Sequence, residues 1–505
     1  LQTPVRAIRR QVFTEVAKLG FKANAETLVA DMEAIPYEIV GEDSEVKYRE
    51  SIYRARAVVR ERLRLAMGLS LRPENKPVHL TAGVEASNIS EKYYEPPLMQ
   101  GIPSGCESCE ENKYEVSNVC KGCLAHPCQE VCPRGAISMV NGKSFIDQDK
   151  CIKCGKCKSV CPYDAIAKKE RPCKKACGVN AITSDKLGRA YIDADKCVSC
   201  GMCMVSCPFG AISDKSQIFQ LARALSEGEE IVAEVAPAFV GQFGSNINVR
   251  NFKAALEELG FSETYEVALG ADIGAIAEAH HYVNKVTTGE LPFLLTSCCP
   301  SWAMLAKKFF PDLIDQISQE LTPMVATART IKQEHPNAKV VFIGPCAAKK
   351  LEAMRTSIRS DVDFVLTFEE MAGIFDAKHV DIENIEEDPN GVNDASTDGR
   401  NFAVAGGVAT SVKDVLKELR PDMEVKIANA EGLKECRQLL KLATLGKYDG
   451  YLLEGMACPG GCVAGAGTMQ PVKKSQAAVN IYASKANHKN CHETEYVKEL
   501  DKLVD

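Results

Sequence analysis

The chain has 505 residues, with 61 Lys and Arg against 68 Asp and Glu, and a mean hydropathy of −0.14. That length allows several domains and at least one large core, and a charged fraction of 26% is ordinary for a soluble protein rather than a disordered one. A net charge of −7, the lack of a basic tract interleaved with aromatics, and a single Trp argue against nucleic acid as a partner.

The start, LQTPVRAIRRQVFTEVAKLGF, mixes charges through its apolar positions, so no membrane insertion is expected and the cytoplasm is the expected compartment. Residues 1–95 read as a helical region. In SIYRARAVVRERLRLAMGL, apolar positions recur at three- and four-residue steps, and the arginines, interleaved with glutamate, are expected on a solvated face.

Residues 96–215 are dense in cysteine, poor in long apolar runs and punctuated by Gly and Pro. Of the 23 cysteines, sixteen lie between Cys106 and Cys207. An odd total in repeated CxxC groups favours metal over disulfides, and a segment this short of aliphatic material is expected to be stabilised by that metal. Cys151–Ile166 and Cys197–Ile212 both read CxxCGxCxxxCPxxAI and are expected as two similar half-modules facing one another. CxxCxxCxxxCP is the pattern of [4Fe-4S] binding: three close thiolates grip one cube, and the cysteine before proline reaches the partner cube. The expected proximal pair is Cys151, Cys154 and Cys157 with Cys207, and Cys197, Cys200 and Cys203 with Cys161. Zinc does not need such interlacing. Eight cysteines remain for a distal pair, expected as Cys120, Cys123 and Cys128 with Cys177, and Cys106, Cys109 and Cys132 with Cys173. His126 lies among them, but sixteen thiolates already satisfy four cubes.

From residue 225 to 471 the texture becomes alternating α/β. EEIVAEVAPAF, KVVFIGPCAA, NFAVAGGVA and DGYLLEGMACPGG are strand candidates running into loops of small residues, and SVKDVLKEL is a helix candidate. Five sparse cysteines fall just beyond such strands, where α/β folds bind ligands. Residues 472–505 form a polar extension of helix and loop.

Three stretches carry a resemblance. Thr296-Ser-Cys-Cys-Pro-Ser-Trp302, Pro345-Cys-Ala-Ala-Lys-Lys-Leu-Glu352 and Glu454-Gly-Met-Ala-Cys-Pro-Gly-Gly-Cys462 resemble the three signature motifs of the [FeFe]-hydrogenases, over roughly residues 140–470. The resemblance implies a multidomain α+β and α/β chain, in which a ferredoxin-like multi-cluster module precedes a large α/β H-cluster domain. It also implies reversible conversion of 2H⁺ and 2e⁻ to H₂. The cofactors implied are four accessory [4Fe-4S] clusters and an H-cluster, a [4Fe-4S] cube joined to a diiron unit bearing CO, cyanide and azadithiolate. Implied cube ligands are Cys299, Cys346, Cys458 and Cys462, with Cys462 as the bridge. Cys298 is implied as the proton donor, and a thiol beside a ligating thiolate is chemically apt for that, since it can stay protonated. Lys349, Ala236, Pro237 and Met456 fall on positions that contact the diiron unit. Glu278 and Ser318 align with the proton relay, followed by His281 at a usual acidic position and Lys285 at a usual arginine. Implied partners are protons and H₂, a ferredoxin or another redox protein, and maturation proteins.

The chain departs from the family pattern at Gly344, where methionine is usual, at Ala238, where serine is usual, and at Met324, where glutamine is expected. These departures are expected to remove bulk and hydrogen bonds around the diiron unit while sparing its ligands. The rival expectations are a non-enzymatic iron-sulfur assembly protein or a redox sensor, either lacking the diiron unit. No dinucleotide fingerprint supports a nucleotide-dependent oxidoreductase.

Overall fold

The computed structural model describes residues 3–22, 24–42, 49–390, 392 and 395–496. Among these, fifteen strands form six sheets. In the cysteine-dense region β1 (Met99–Gly101) pairs antiparallel with β8 (Ile212–Asp214). Between them β2 (Lys113–Val116) pairs with β5 (Ile166–Lys169), enclosing the hairpin of β3 (Ile137–Val140) and β4 (Lys143–Ile146). A second hairpin, β6 (Ile182–Ser184) with β7 (Ala190–Ile192), precedes β8.

One plan therefore occurs twice, a closing strand pair around a hairpin, with the inner copy inserted into the outer. Lys113 lies opposite Lys169, so the ends of the insertion are held side by side. Each copy has a small core of its own: Tyr114, Ile137, Ile146 and Ile166 with Cys128 and Cys157 in the inner one, and Met99, Ile182, Met204 and Ile212 with Cys173 and Cys203 in the outer one. Cores this small fit modules that depend on bound metal. Cys151–Ile166 and Cys197–Ile212 are thus not two halves of one module, as their repeated spacing suggested. Each is the second half of its own.

The remaining strands form two parallel sheets. One has the order β10 (Glu263–Glu266), β9 (Ile231–Val235), β12 (Lys339–Gly344), β13 (Phe364–Thr367), and the other β11 (Leu294–Leu295), β15 (Tyr451–Met456), β14 (Lys426–Glu431). Strands β9 and β13 are buried along their whole length, as parallel strands covered on both faces require. NFAVAGGVA, expected as a strand, is instead the end of a short helix, a turn and the start of the Gly407–Leu419 helix. The buried Glu454 carboxylate accepts from the Gly406 and Ala409 amides at 2.8 Å each, so the backbone groups that a sheet would pair are taken by a side chain.

The N-terminal helices share this core. Pro4–Lys22 packs against Ile218–Ser226 and Phe368–Lys378. Ile52–Ala66 forms as its periodicity predicts, but three of its five arginines are not on a solvated face. Arg56, Arg62 and Arg64 are buried and donate to backbone carbonyls: Arg56 to Val40 at 2.9 Å, Arg64 to Leu80 and Ala82 at 2.7 Å each, and Arg62 to Gly210. The guanidinium forks fasten loop carbonyls that no secondary structure satisfies. Among the described residues no helix is long and apolar enough to cross a membrane.

Candidate metal centres

Four parallel strands, drawn from both sheets, end at one buried cavity of about 90 Å³. Strand β9 runs into Ala236, Pro237 and Ala238, β11 leads to Cys298 and Cys299, β12 into Pro345 and Cys346, and β15 from Met456 into Ala457 and Cys458. Cys462 and Lys349 complete the wall, so all four expected cube ligands and Cys298 line one space with Lys349, Met456, Ala236 and Pro237. Cys299 caps the Pro300–Phe309 helix, whose fully buried Trp302 donates its indole N–H to the Thr296 carbonyl at 3.0 Å and fixes the first motif. Phe342 and Phe402 also line the cavity and had no signal in the motifs.

Phe342 accounts for one departure from the family pattern. A Cβ on Gly344 would lie 2.4 Å from the Phe342 ring and 3.2 Å from the Ala236 Cβ. The two residues share a strand face at a spacing of two, so the phenyl ring fills the space left by the missing side chain. The expected loss of bulk is therefore made good at this position. Met324 and Ala238, both fully buried, line the cavity as well.

The electrostatics fit a metal cluster. Burial and mutual repulsion push the thiols up, Cys346 to about 11, Cys462 to about 12 and Cys458 well above the ordinary cysteine value. Several thiolates can coexist in so dry a place only with positive charge among them, which iron supplies. Lys349 Nζ lies 2.7 Å from Glu352 Oε2 and donates to Thr322 Oγ1 at 3.3 Å, while Thr322 donates to Glu352 Oε1 at 2.5 Å. The ammonium is thus held in place at the cavity wall. Glu234, fully buried on β9 with neither carboxylate oxygen hydrogen-bonded, is driven far above the usual carboxylate range by burial.

A line of titratable groups leads away from Cys298. Its thiol is pushed well up, first by burial and then by Glu454, Cys299 and Glu278. Glu278, on the Val267–Lys285 helix, is raised to about 8 by burial, then Glu320, then Glu454, against a hydrogen bond from Ser318. The Glu320 amide donates to Ser318 Oγ at 3.3 Å, and Glu320 Oε1 lies 2.9 Å from His281 Nδ1. His281 therefore comes with an acid that sequence reasoning missed, although Glu320 stands only two residues after Ser318. Lys285 pairs with Glu290 at 2.5 Å.

The sixteen dense cysteines group by module, not as expected. Cys106, Cys109, Cys173 and Cys207 line one small cavity, and Cys132, Cys151, Cys154 and Cys157 line another. Cys203 faces Cys200, Cys197 and Cys177. Cys161 packs in the inner core with Cys128, and Cys120 and Cys123 are the two cysteines that remain. The expected sets put Cys207, Cys161, Cys177 and Cys132 each with cysteines of the other module, because the sequence does not show that one module is inserted in the other. The corrected grouping repeats a local bond four times: the amides of Ala136, Ala165, Ala181 and Ala211 donate to the sulfurs of Cys132, Cys161, Cys177 and Cys207 at 3.2–3.4 Å. His126 sits in the turn before the short Pro127–Glu130 helix. The cysteines ring cavities rather than converging on a point, and among the described residues no three His, Cys, Asp or Glu side chains could hold a single ion. Cys200 also lines the main cavity, so the outer module touches the site directly.

Residues 229–466 match the family described as iron only hydrogenase large subunit, C-terminal domain. That stretch, a little under half of the chain, is a domain of the [FeFe]-hydrogenase family. Residues 119–170, nearly the whole inner module, match the LdpA Fe-S cluster-binding domain, and residues 190–213 match a 4Fe-4S binding domain. The NADP-reducing hydrogenase subunit HndD of Solidesulfovibrio fructosivorans is 29% identical over 56% of this chain and 58% of its own length. The periplasmic [Fe] hydrogenase large subunit of Nitratidesulfovibrio vulgaris is 29% identical over 51% of this chain and 73% of its own. The cytosolic Fe-S cluster assembly factor NAR1 of Debaryomyces hansenii is 30% identical over 24% of this chain and 25% of its own. The chain thus spans little more than half the length of the first of these relatives.

Proposed function

We propose that this chain is a hydrogenase that interconverts protons, electrons and H₂ at an H-cluster that Cys299, Cys346, Cys458 and Cys462 would hold. The supporting observation is that the four thiols, the unligated Cys298, Lys349 and Met456 line one buried cavity. When bound, the H-cluster supplies the two-electron chemistry of H₂. The chain's own residues deliver protons, exclude water and fix charge. Cys298 Sγ, kept neutral by burial, faces the cavity with a proton to give, and Glu278 restores that proton from Ser318. Lys349 offers a rigid cation to a cyanide. The sixteen cysteines of the two modules would hold four accessory cubes, which would supply an electron path from a ferredoxin or another redox protein to the cavity at Cys200, and maturation proteins would install the diiron unit.

The second reading, an assembly protein without the diiron unit, draws on the likeness to the assembly factor NAR1. Cys298 and the cavity it lines favour the hydrogenase. Infrared spectroscopy of protein matured with a competent maturation system separates the two: CO and cyanide bands are expected, and their absence would reject the hydrogenase reading.

A pH dependence follows from Glu278. Raised to about 8, its carboxyl stays protonated well past the ordinary glutamate range. H₂ evolution is expected to hold up to about that pH and decline above it, as the donor ionises. Glu278→Gln is expected to slow turnover and flatten that limb, with iron content unchanged. An unaltered pH–rate profile would remove Glu278 from the relay. The same shift works against stability as pH rises from the ordinary carboxylate value towards about 8, because the unfolded chain gives up this proton first.

A further inference from the structure

The internal repeat sets one face of the iron-sulfur region in two different surroundings. Cys151–Ile166 and Cys197–Ile212 share spacing and backbone, with φ near 61° and 55° at Lys153 and Ser199, and 80° and 76° at Gly155 and Gly201. In the outer module this face is packed against the catalytic domain. Val198, Ser199 and Met204 are at most 5% exposed, Ser301 Oγ donates to the Val198 carbonyl at 2.9 Å, and a Cβ on Gly201 would lie 2.4 Å from the Ala466 Cβ. Through this face the module places Cys200 at the main cavity. On the proposed function, it is the face through which the module would exchange electrons with that site.

In the inner module the equivalent face is bare. Ile152 is 58% exposed and Tyr163 46%, against 1% for Val198 at the position matching Ile152. Cys154, the counterpart of Cys200, is the one exposed cysteine among all 23. The chemistry changes as well: Ser199, Met202 and Met204 are replaced by Lys153, Lys156 and Lys158, all exposed. None of the three lysines is in an ion pair among the described residues. Residues 113–169 carry ten Lys and Arg against five Asp and Glu, within a chain of net charge −7.

We propose that the Cys151–Asp164 face of the inner module is the docking surface for an acidic iron-sulfur electron carrier. It exchanges one electron with the cube held by Cys132, Cys151, Cys154 and Cys157. The carrier's cluster loses one electron and this cube gains it, or the reverse, with no atom transferred. The lysines steer an acidic surface onto the module, and Ile152 and Tyr163 supply apolar contact around the exposed ligand. This inference rests on the cluster part of the proposed function and not on H₂ chemistry.

The test reads electron transfer without H₂. Iron-loaded protein is mixed in stopped flow with a reduced acidic [2Fe-2S] ferredoxin, whose spectrum is distinct from that of the cubes. Lys153→Glu, Lys156→Glu and Lys158→Glu together are expected to lower the second-order rate constant by roughly tenfold or more at low salt, the gap closing as salt rises. Iron content and reduction by dithionite stay unchanged. If the triple variant loses iron, the pair Lys153→Gln and Lys158→Gln gives the same comparison with a smaller drop. A rate indifferent to both sets of substitutions and to salt would overturn the proposal. So would preferential binding of duplex DNA at this face, abolished by the same changes.

Discussion

Cys298→Ala is expected to cut H₂ turnover by about 10²- to 10⁴-fold, the range a positioned acid–base group contributes. Iron content and the infrared bands of the matured protein should stay as they were. The expectation rests on two placements. Cys298 lines the cavity beside Cys299, yet the four cube ligands are complete without it. Its surroundings also keep it a thiol, since burial and the nearby Glu454, Cys299 and Glu278 all oppose ionisation. A ligating cysteine would behave differently, because its loss removes cluster along with activity. Full turnover in the alanine variant would dismiss the proton role, and missing infrared bands would make Cys298 a cofactor-holding residue instead.

Lys350→Met is expected to destabilise the chain by about 3–5 kcal/mol, read as a lower urea midpoint. Lys350 Nζ lies 2.8 Å from Asp214 at the end of β8 and 2.7 Å from Glu370, with all three side chains at most 4% exposed. It also donates to the Lys215 carbonyl at 2.9 Å. One ammonium thus joins the outer iron-sulfur module to the first turn of the Phe368–Lys378 helix. Its removal leaves two buried carboxylates without the ammonium that joins them. Neutralising them at once, with Asp214→Asn and Glu370→Gln, is expected to recover most of the loss, and the glutamine retains the capping box with Thr367. A midpoint unmoved by Lys350→Met would show the triad to be dispensable.

The convergence of the sparse cysteines on one cavity was legible because each motif is local. Each motif is a strand followed by a tight loop of small residues, so Cys299, Cys346 and Cys458 could be placed at strand ends before any contact was known. Phe342 and Glu320 were harder, since each stands two residues from the position that draws attention first, Gly344 and Ser318. The arginines of Ile52–Ala66 misled because a charged residue at a helical period normally faces water. Here three of them face carbonyls left over at loop ends. The cube partition failed for a topological reason. Near-identical repeats at Cys151 and Cys197 look like partners, and only strand pairing shows that each belongs with a weaker copy. A fourfold signal was present, CxxxCxxxAI beginning at Cys128, Cys157, Cys173 and Cys203. It identifies two complete modules rather than one complete and one irregular.

Pairing of β2 with β5 also bears on how the chain comes together. Cys109 and Cys173 belong to one cradle, yet the whole inner module separates them in sequence. As an open loop that separation would weigh on the kinetics of assembly. Once the inner module has closed, the effective span shrinks to the few residues flanking Lys113 and Lys169, some three halvings of length, which lowers the closure entropy by about 1.8 kcal/mol. Closure of the insertion thereby brings the distant cysteines of the outer module towards one another.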